Sequence, residues 1–324
     1  MNDRPAAPVG ARNLVMVILD SLRYDSWVEA QPAVLGTLGA VERRFSYASW
    51  TAPSHYNLLM GLLPHTSPFE VYASEYYKED FLRYGERLNL DDMGFKRLLP
   101  SIFLPTFLRN ALGYRTHAMV SMPVLNPFTV INRDFDSFEL MPKHNDMGAM
   151  LDKLTFSDER PSFYLLNTGE THYPYALPHE DPGEWPRISG VHGVFKHLDD
   201  TADERAPAFF DNQSLRELHG RQIEAVSYLD GVFKHLDETD PTHPERAPAF
   251  FDNQSLRELH GRQIDAVSYL DGVFKRLFDL LPSNTWVIVT SDHGELFGED
   301  RFFGHGPVMH EKVFEVPFVE GMVP

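Results

Sequence analysis

The sequence predicts an α/β protein, with a mostly parallel sheet sandwiched by helices on both faces. Three observations carry this. Apolar, β-branched or aromatic runs recur at Leu14–Leu19, Ser162–Leu166 and Trp286–Thr290, as expected of strands buried on both faces. Helical patterns lie between them, which is the signature of crossover connections. Each run is followed by acids or imidazoles: Asp20, then Glu170 and His172, then Asp292 and His293. Open α/β sheets bind their ligands in the crevice beyond the carboxyl ends of the strands.

The elements follow in order. LVMVIL (14–19) is the first strand and ends at Asp20. Pro53–Leu62 reads as a helix with a proline start. Phe107–Ala111 reads as the end of a helix stopped by Gly113, and Thr116–Ser121 as the next strand. KEDFLRYGERLNLDD (78–92) reads as a charged, solvated helix. SFYLL (162–166) is a buried strand that runs out near Thr168-Gly169-Glu170-Thr171-His172. Trp286–Thr290 stops at Asp292-His293-Gly294-Glu295, where an Asp-His pair suits a metal and a polar turn is the plainer alternative. A polar turn accounts easily for one such strand end and poorly for three.

One segment is duplicated. Residues 206–230 recur at 247–271 with a single difference, Glu224 against Asp265, and GVFK occurs at 193, 231 and 272. A period of about 40 residues suits a solenoid, but a solenoid needs three or more units and two are present. Each copy is an amphipathic helix: Leu215, Leu218, Val226, Leu229, Phe233 and Leu236 share one face, and Leu256, Leu259, Val267, Leu270, Phe274 and Leu277 repeat it. The second copy reaches the Trp286 strand through a short Pro-Ser-Asn link, so it is expected to be the scaffold helix. The first would be an inserted helix with an apolar face to bury, as a helical hairpin or in a homodimer. The expected organisation is one catalytic domain over 1–324, with the duplication inside 193–271.

Composition excludes several classes. Of 324 residues, 43% are hydrophobic, enough for a sizeable core. The formal net charge of −18 leaves no basic excess for phosphate backbones, so no nucleic-acid partner is expected. There is no cysteine, which removes disulfides and thiolate metal sites. The apolar run at 14–19 is too short for a signal sequence or a membrane span, and the expectation is a cytoplasmic protein.

Four segments are read together: VILDSLRYD with Asp20, SWTAPSHYNLLMGLLP with Thr51, NTGETHYPY with His172, and SDHGELFGEDRFFGHG with Asp292, His293 and His305. In this order they resemble the sulfatase-like branch of the alkaline phosphatase superfamily, from about residue 13 to about 319. TAPSHYNLLMG and TSDHGE…GHG are the strongest pieces; LRNALGYRTHA and the FDSF at 135–138 are weaker echoes. The resemblance implies an alkaline-phosphatase-like fold and metal-assisted attack on phosphorus or sulfur. It implies that Asp20, Asp292 and His293 hold one divalent ion, and that Thr51 both ligates it and acts as nucleophile. That set is three oxygens and one imidazole nitrogen, which suits zinc or manganese, with magnesium possible.

Departures from the family pattern narrow the reading. Formylglycine sulfatases carry Cys or Ser at the nucleophile position, followed by x-Pro-x-Arg; here Thr51 stands there and His55 replaces the Arg. Threonine cannot be converted to formylglycine, so the resemblance points to phosphate esters, diester or monoester, through a covalent phospho-threonine. The alternatives are transfer of the phospho-group to an alcohol, a sulfatase-type hydrolase, or a catalytically inactive metal-binding member. In two-metal relatives an Asp stands four residues before the equivalent of His172; Thr168 stands there, so a second metal is not expected, with Glu170 as the one substitute ligand. His172 and His305 are then expected to contact the ester oxygens or act as general acid. Glu295, Arg23 and Asp25 read as supporting residues. Helix N-capping is the plainer role for both Thr51 and Asp20. Relatives continue past the VPF strand into a smaller C-terminal subdomain, which is expected to be absent here.

Overall fold

The structure, a computed structural model, describes residues 5–66, 103–157, 159–185, 253–299, 303–305 and 310–324. The first repeat copy and residues 78–92 lie outside the described residues.

Among the described residues, seven strands form one sheet in the order β2-β9-β6-β1-β5-β3-β4. They are β1 (Asn13–Leu19), β2 (Glu42–Phe45), β3 (Arg115–Val120), β4 (Ser137–Leu140), β5 (Ser162–Thr168), β6 (Thr285–Thr290) and β9 (Glu315–Met322). A small ribbon pairs β7 (Leu296–Phe297) with β8 (Phe303–Gly304). β6, β1, β5, β3 and β4 are parallel neighbours. β9 alone runs against them, pairing antiparallel with β6 on one side and β2 on the other. The predicted class is therefore found, with one reversed strand.

Strand alternation sorts the core into two layers. Val15, Val17 and Leu19 of β1 face a cluster that includes Trp27 of α1 (Tyr24–Ala30), Met147 and Met150 of α4 (Met147–Leu151) and Val267, Leu270 and Phe274 of α5 (Asn253–Leu280). Met16 and Ile18 face the other layer, with Leu58 and Leu59 of α2 (Thr51–Leu59) and Leu108 of α3 (Leu104–Leu112). A strand covered on both faces needs an apolar run rather than alternation, which is why 14–19 reads as it does.

The second repeat copy supplies most of α5. Its six apolar positions, Leu256, Leu259, Val267, Leu270, Phe274 and Leu277, are all buried, and each contributes about 1.5–3 kcal/mol relative to exposure. The one position at which the copies differ, Asp265, is exposed. Gly113 ends α3 in the left-handed conformation at φ 70°, with its amide on the Leu108 carbonyl, as the stop signal predicts.

Two boundaries differ from expectation, and both bear on the site. The helix expected from Pro53 begins at Thr51, with Trp50 as an extended N-cap. α1 begins at Tyr24 after Arg23, so Asp20 caps no helix.

Candidate active site at the carboxyl ends of the strands

Strand register brings the candidate residues together. Ile18 pairs with Thr290 and Leu19 with Thr168, so β1, β5 and β6 end at one level. Asp20, Asp292 and His293 follow directly and converge, with ligand atoms within 4.8 Å of one another and all three residues buried. Thr51 arrives from the next connection as the first residue of α2. Its hydroxyl caps nothing; it lies 3.5 Å from Asp20 Oδ1 and 3.3 Å from His293 Nε2.

Each donor has its other polar atom already engaged. Asp20 Oδ2 accepts from Asn167 Nδ2 at 3.0 Å, leaving Oδ1 towards Thr51. Asp292 Oδ1 accepts the amides of Ser21 at 3.1 Å and His293 at 3.0 Å, while its Oδ2 is buried without a partner. His293 Nδ1 donates to the Gly294 carbonyl at 2.8 Å, which leaves Nε2 as a lone-pair donor 3.4 Å from Asp292 Oδ2 and 3.9 Å from Asp20 Oδ1. Ser21 turns its amide to Asp292 by adopting a left-handed φ of 61°, a conformation that costs a non-glycine residue about 1–2 kcal/mol.

These donors fit a divalent cation. An orphaned, buried carboxylate oxygen beside a second carboxylate calls for positive charge. Burial, and then the Asp20 charge, push the Asp292 carboxyl well above its ordinary range. Burial, and then neighbouring imidazoles led by His305, hold His293 well below its own, hence neutral as a ligand must be. Tetrahedral bonds of about 2.0–2.2 Å imply donor–donor edges of about 3.3–3.6 Å. Of the six donor pairs, three stand at 3.3, 3.4 and 3.5 Å, within that range, and His293 Nε2 to Asp20 Oδ1 is longer at 3.9 Å.

His172 and His305 flank this cluster. Their ring centroids are 5.2 Å apart, and that of His305 is 4.2 Å from His293. His172 Nδ1 donates to the Tyr173 carbonyl at 2.8 Å, and burial lowers the His172 pKa. The ring is thereby held neutral with Nε2 unprotonated. His305 Nδ1 lies 3.2 Å from the Glu295 carboxylate, which also accepts from the Tyr175 hydroxyl. Glu295 thus orients His305. Arg23 pairs with Asp25 and Glu299 and reaches the Glu295 carbonyl at 3.3 Å, so it braces the same loop.

Glu170 is not at the cluster. Its carboxylate takes the Met147 amide at 2.8 Å, at the start of α4, and the Thr168 hydroxyl. It supplies no ligand atom to the group formed by Asp20, Asp292 and His293. His55 is fully buried, with Nδ1 donating to the Thr51 carbonyl at 2.8 Å, and so fixes the turn that carries the nucleophile candidate. Gly294 is required by space: its amide bonds to Val313 at 2.7 Å, and a Cβ there would run into the Lys312 carbonyl.

Three contributors escaped the sequence reading. Asn167, the first residue of NTGETHYPY, carries no pattern beyond its place just past the apolar run 162–166. Ser46, whose hydroxyl donates to the Asp292 carbonyl, lies in a segment with no pattern. Gln263 is fully buried on α5 and bonds the carbonyls of Ser21 and Thr171 at 3.0 Å each. A glutamine inside an apolar helix face was the clue to it.

The fold and site together are an α/β sheet with a threonine hydroxyl set among two carboxylates and an imidazole at the strand ends. A family model described as Sulfatase matches residues 12–319, and the chain belongs to that family. No curated protein matches its sequence. Among solved structures it is similar to the phosphonate monoester hydrolase of Agrobacterium radiobacter, at 14% identity and a TM-score of 0.51, covering 96% of this chain and 68% of that one. It is also similar to a 2-O GAG sulfatase, at 14% identity and a TM-score of 0.53, covering 96% and 64%. The periplasmic domain of EptC from Escherichia coli in complex with zinc aligns at 12% identity and a TM-score of 0.49, covering 99% and 77%.

Proposed function

We propose that the protein is a metal-dependent hydrolase of phosphate esters, diester or monoester, with Thr51 as nucleophile. The observation that carries this is the Thr51 hydroxyl, free of any capping bond and set against Asp20 Oδ1 and His293 Nε2. Asp20, Asp292, His293 and Thr51 would hold one ion, and the three-oxygen, one-nitrogen set suits zinc or manganese, with magnesium possible. A divalent ion bound there supplies the positive charge that favours a Thr51 alkoxide at neutral pH.

The chain's own residues account for the remaining chemistry. Thr51 Oγ1 bonds to phosphorus as the ester P–O bond breaks, giving phospho-Thr51 and an alcohol. The leaving oxygen takes its proton from His305, whose Nδ1 rests on a carboxylate. Water then attacks phospho-Thr51 and gives its proton to His172 Nε2, the unprotonated nitrogen of a neutral ring. The Thr51 Oγ1–P bond breaks as the phosphate product leaves, which regenerates the Thr51 alkoxide, and a proton passes from His172 to His305 through solvent to close the cycle. Sulfate esters are disfavoured because threonine cannot supply the formylglycine hydrate. Among the described residues no helix is long and apolar enough to cross a membrane.

The test is turnover of an aryl phosphodiester, a phosphomonoester and a sulfate ester by protein reloaded with zinc or manganese. Metal-dependent hydrolysis of a phosphoester is expected, with Thr51→Ala lowering it at least about a thousandfold. Retained activity in Thr51→Ala would remove the nucleophile assignment. Stable phospho-Thr51, seen as added mass on the intact protein, would replace hydrolysis by transfer to an alcohol.

A further inference from the structure

We propose that Asn167 is a positioning residue that makes Asp20 a one-oxygen donor to the ion; this rests on the reading of Asp20 as a ligand. Asn167 is fully buried near the end of β5, in register with Val120 of β3 and Ile18 of β1. Its Oδ1 accepts the amides of Ser121 at 3.3 Å and Met122 at 3.2 Å, the two residues that follow β3. Two donors on one oxygen fix the orientation of the carboxamide. The nitrogen must then face the other way, and Nδ2 meets Asp20 Oδ2 at 3.0 Å.

The consequence lies in Asp20. Asn167 holds Oδ2, which turns Oδ1 to Thr51 Oγ1 and His293 Nε2, where the Ser21 hydroxyl also reaches it at 3.2 Å. Asparagine suits this place because its N–H stabilises a buried carboxylate oxygen without bringing charge. A lysine or arginine would compete with the cation, and an aspartate would lack the donor. One neutral side chain therefore ties the ends of three neighbouring strands, β3, β5 and β1, to one ligand atom. Residues that orient ligands in this way typically contribute 10–100-fold to metal affinity.

The experiment is a double-mutant cycle on zinc affinity, read by competition with a chelator, with the melting temperature of the metal-free protein alongside. Wild type, Asp20→Ala, Asn167→Leu and the double variant are compared. Asn167→Leu is expected to weaken zinc binding about 10–100-fold. In the Asp20→Ala background the same change is expected to cost about twofold or less, because its route to the ion is gone. Should Asn167→Leu not fold, Asn167→Ser, which is too short to bridge, replaces it in the cycle. Unchanged zinc affinity in the Asn167 variant, or an equal loss in both backgrounds, overturns the proposal. Unchanged affinity in Asp20→Ala instead overturns the ligand assignment beneath it. A lower melting temperature with intact zinc affinity marks Asn167 as a purely structural link.

Discussion

Glu170 is a buried carboxyl group whose two oxygens are turned to the Met147 amide and the Thr168 hydroxyl, away from the cluster of Asp20, Asp292 and His293. Burial, with Asp146 adding to it, raises its pKa to about 7, although the Thr168 and Met147 bonds pull the other way. The folded protein therefore keeps this proton up to about pH 7, while the unfolded chain releases it near 4.5. Between those values the folded state binds more protons, so stability falls as pH rises, by at most about 1.4 kcal/mol per pH unit. Glu170→Gln keeps an acceptor for Met147 and cannot ionise. Urea midpoints of the metal-free variant are expected to gain on wild type from pH 4.5 to 7, with zinc affinity within about twofold. A tenfold loss of zinc affinity would return Glu170 to the ligand set. The sequence made Glu170 a ligand candidate because it stands in the loop with His172. Only the coordinates show it turned to the amide of Met147.

At the scale of elements, periodicity and turn chemistry made most of the architecture readable. The runs at 14–19, 162–166 and 286–290 are the three adjacent strands that carry the site, and their ends mark it. β2 and β4 were missed, being four residues each and largely exposed or half-buried, with no apolar run to betray them. Gln263 belongs to the same scale: α5 holds the Asp20 and His172 loops together through one glutamine. The first repeat copy has the same residue at 222 and differs from the second only at Glu224, opposite exposed Asp265. Removing 231–271 joins Asp230 to Gly272 and leaves one intact helix sequence, so the shortened chain is expected to fold and to keep zinc affinity and turnover. Insoluble protein on expression would show that the copies are not equivalent.

For the whole molecule, an ion held at the cluster would be a folding ligand. Two buried carboxylates face each other at the head of the sheet, and a cation bound only by the folded state stabilises it by about 2.7 kcal/mol at a hundredfold excess over Kd. Stripping the metal with a chelator is expected to lower Tm by about 5 °C or more, and the loss should shrink in Asp292→Asn. An unchanged Tm would mean that the cluster holds no ion under those conditions. The reversed strand has a different consequence, in the order of events during synthesis. Among the described residues, β2, which leads into the Thr51 helix, finds its sheet partner in β9, residues 315–322. A ribosome working from the N-terminus makes β2 well before the strand it pairs with. The growing chain thus carries Asp20, Thr51, His172, Asp292, His293 and His305 before β9 exists, and β2 waits for that strand to join the sheet.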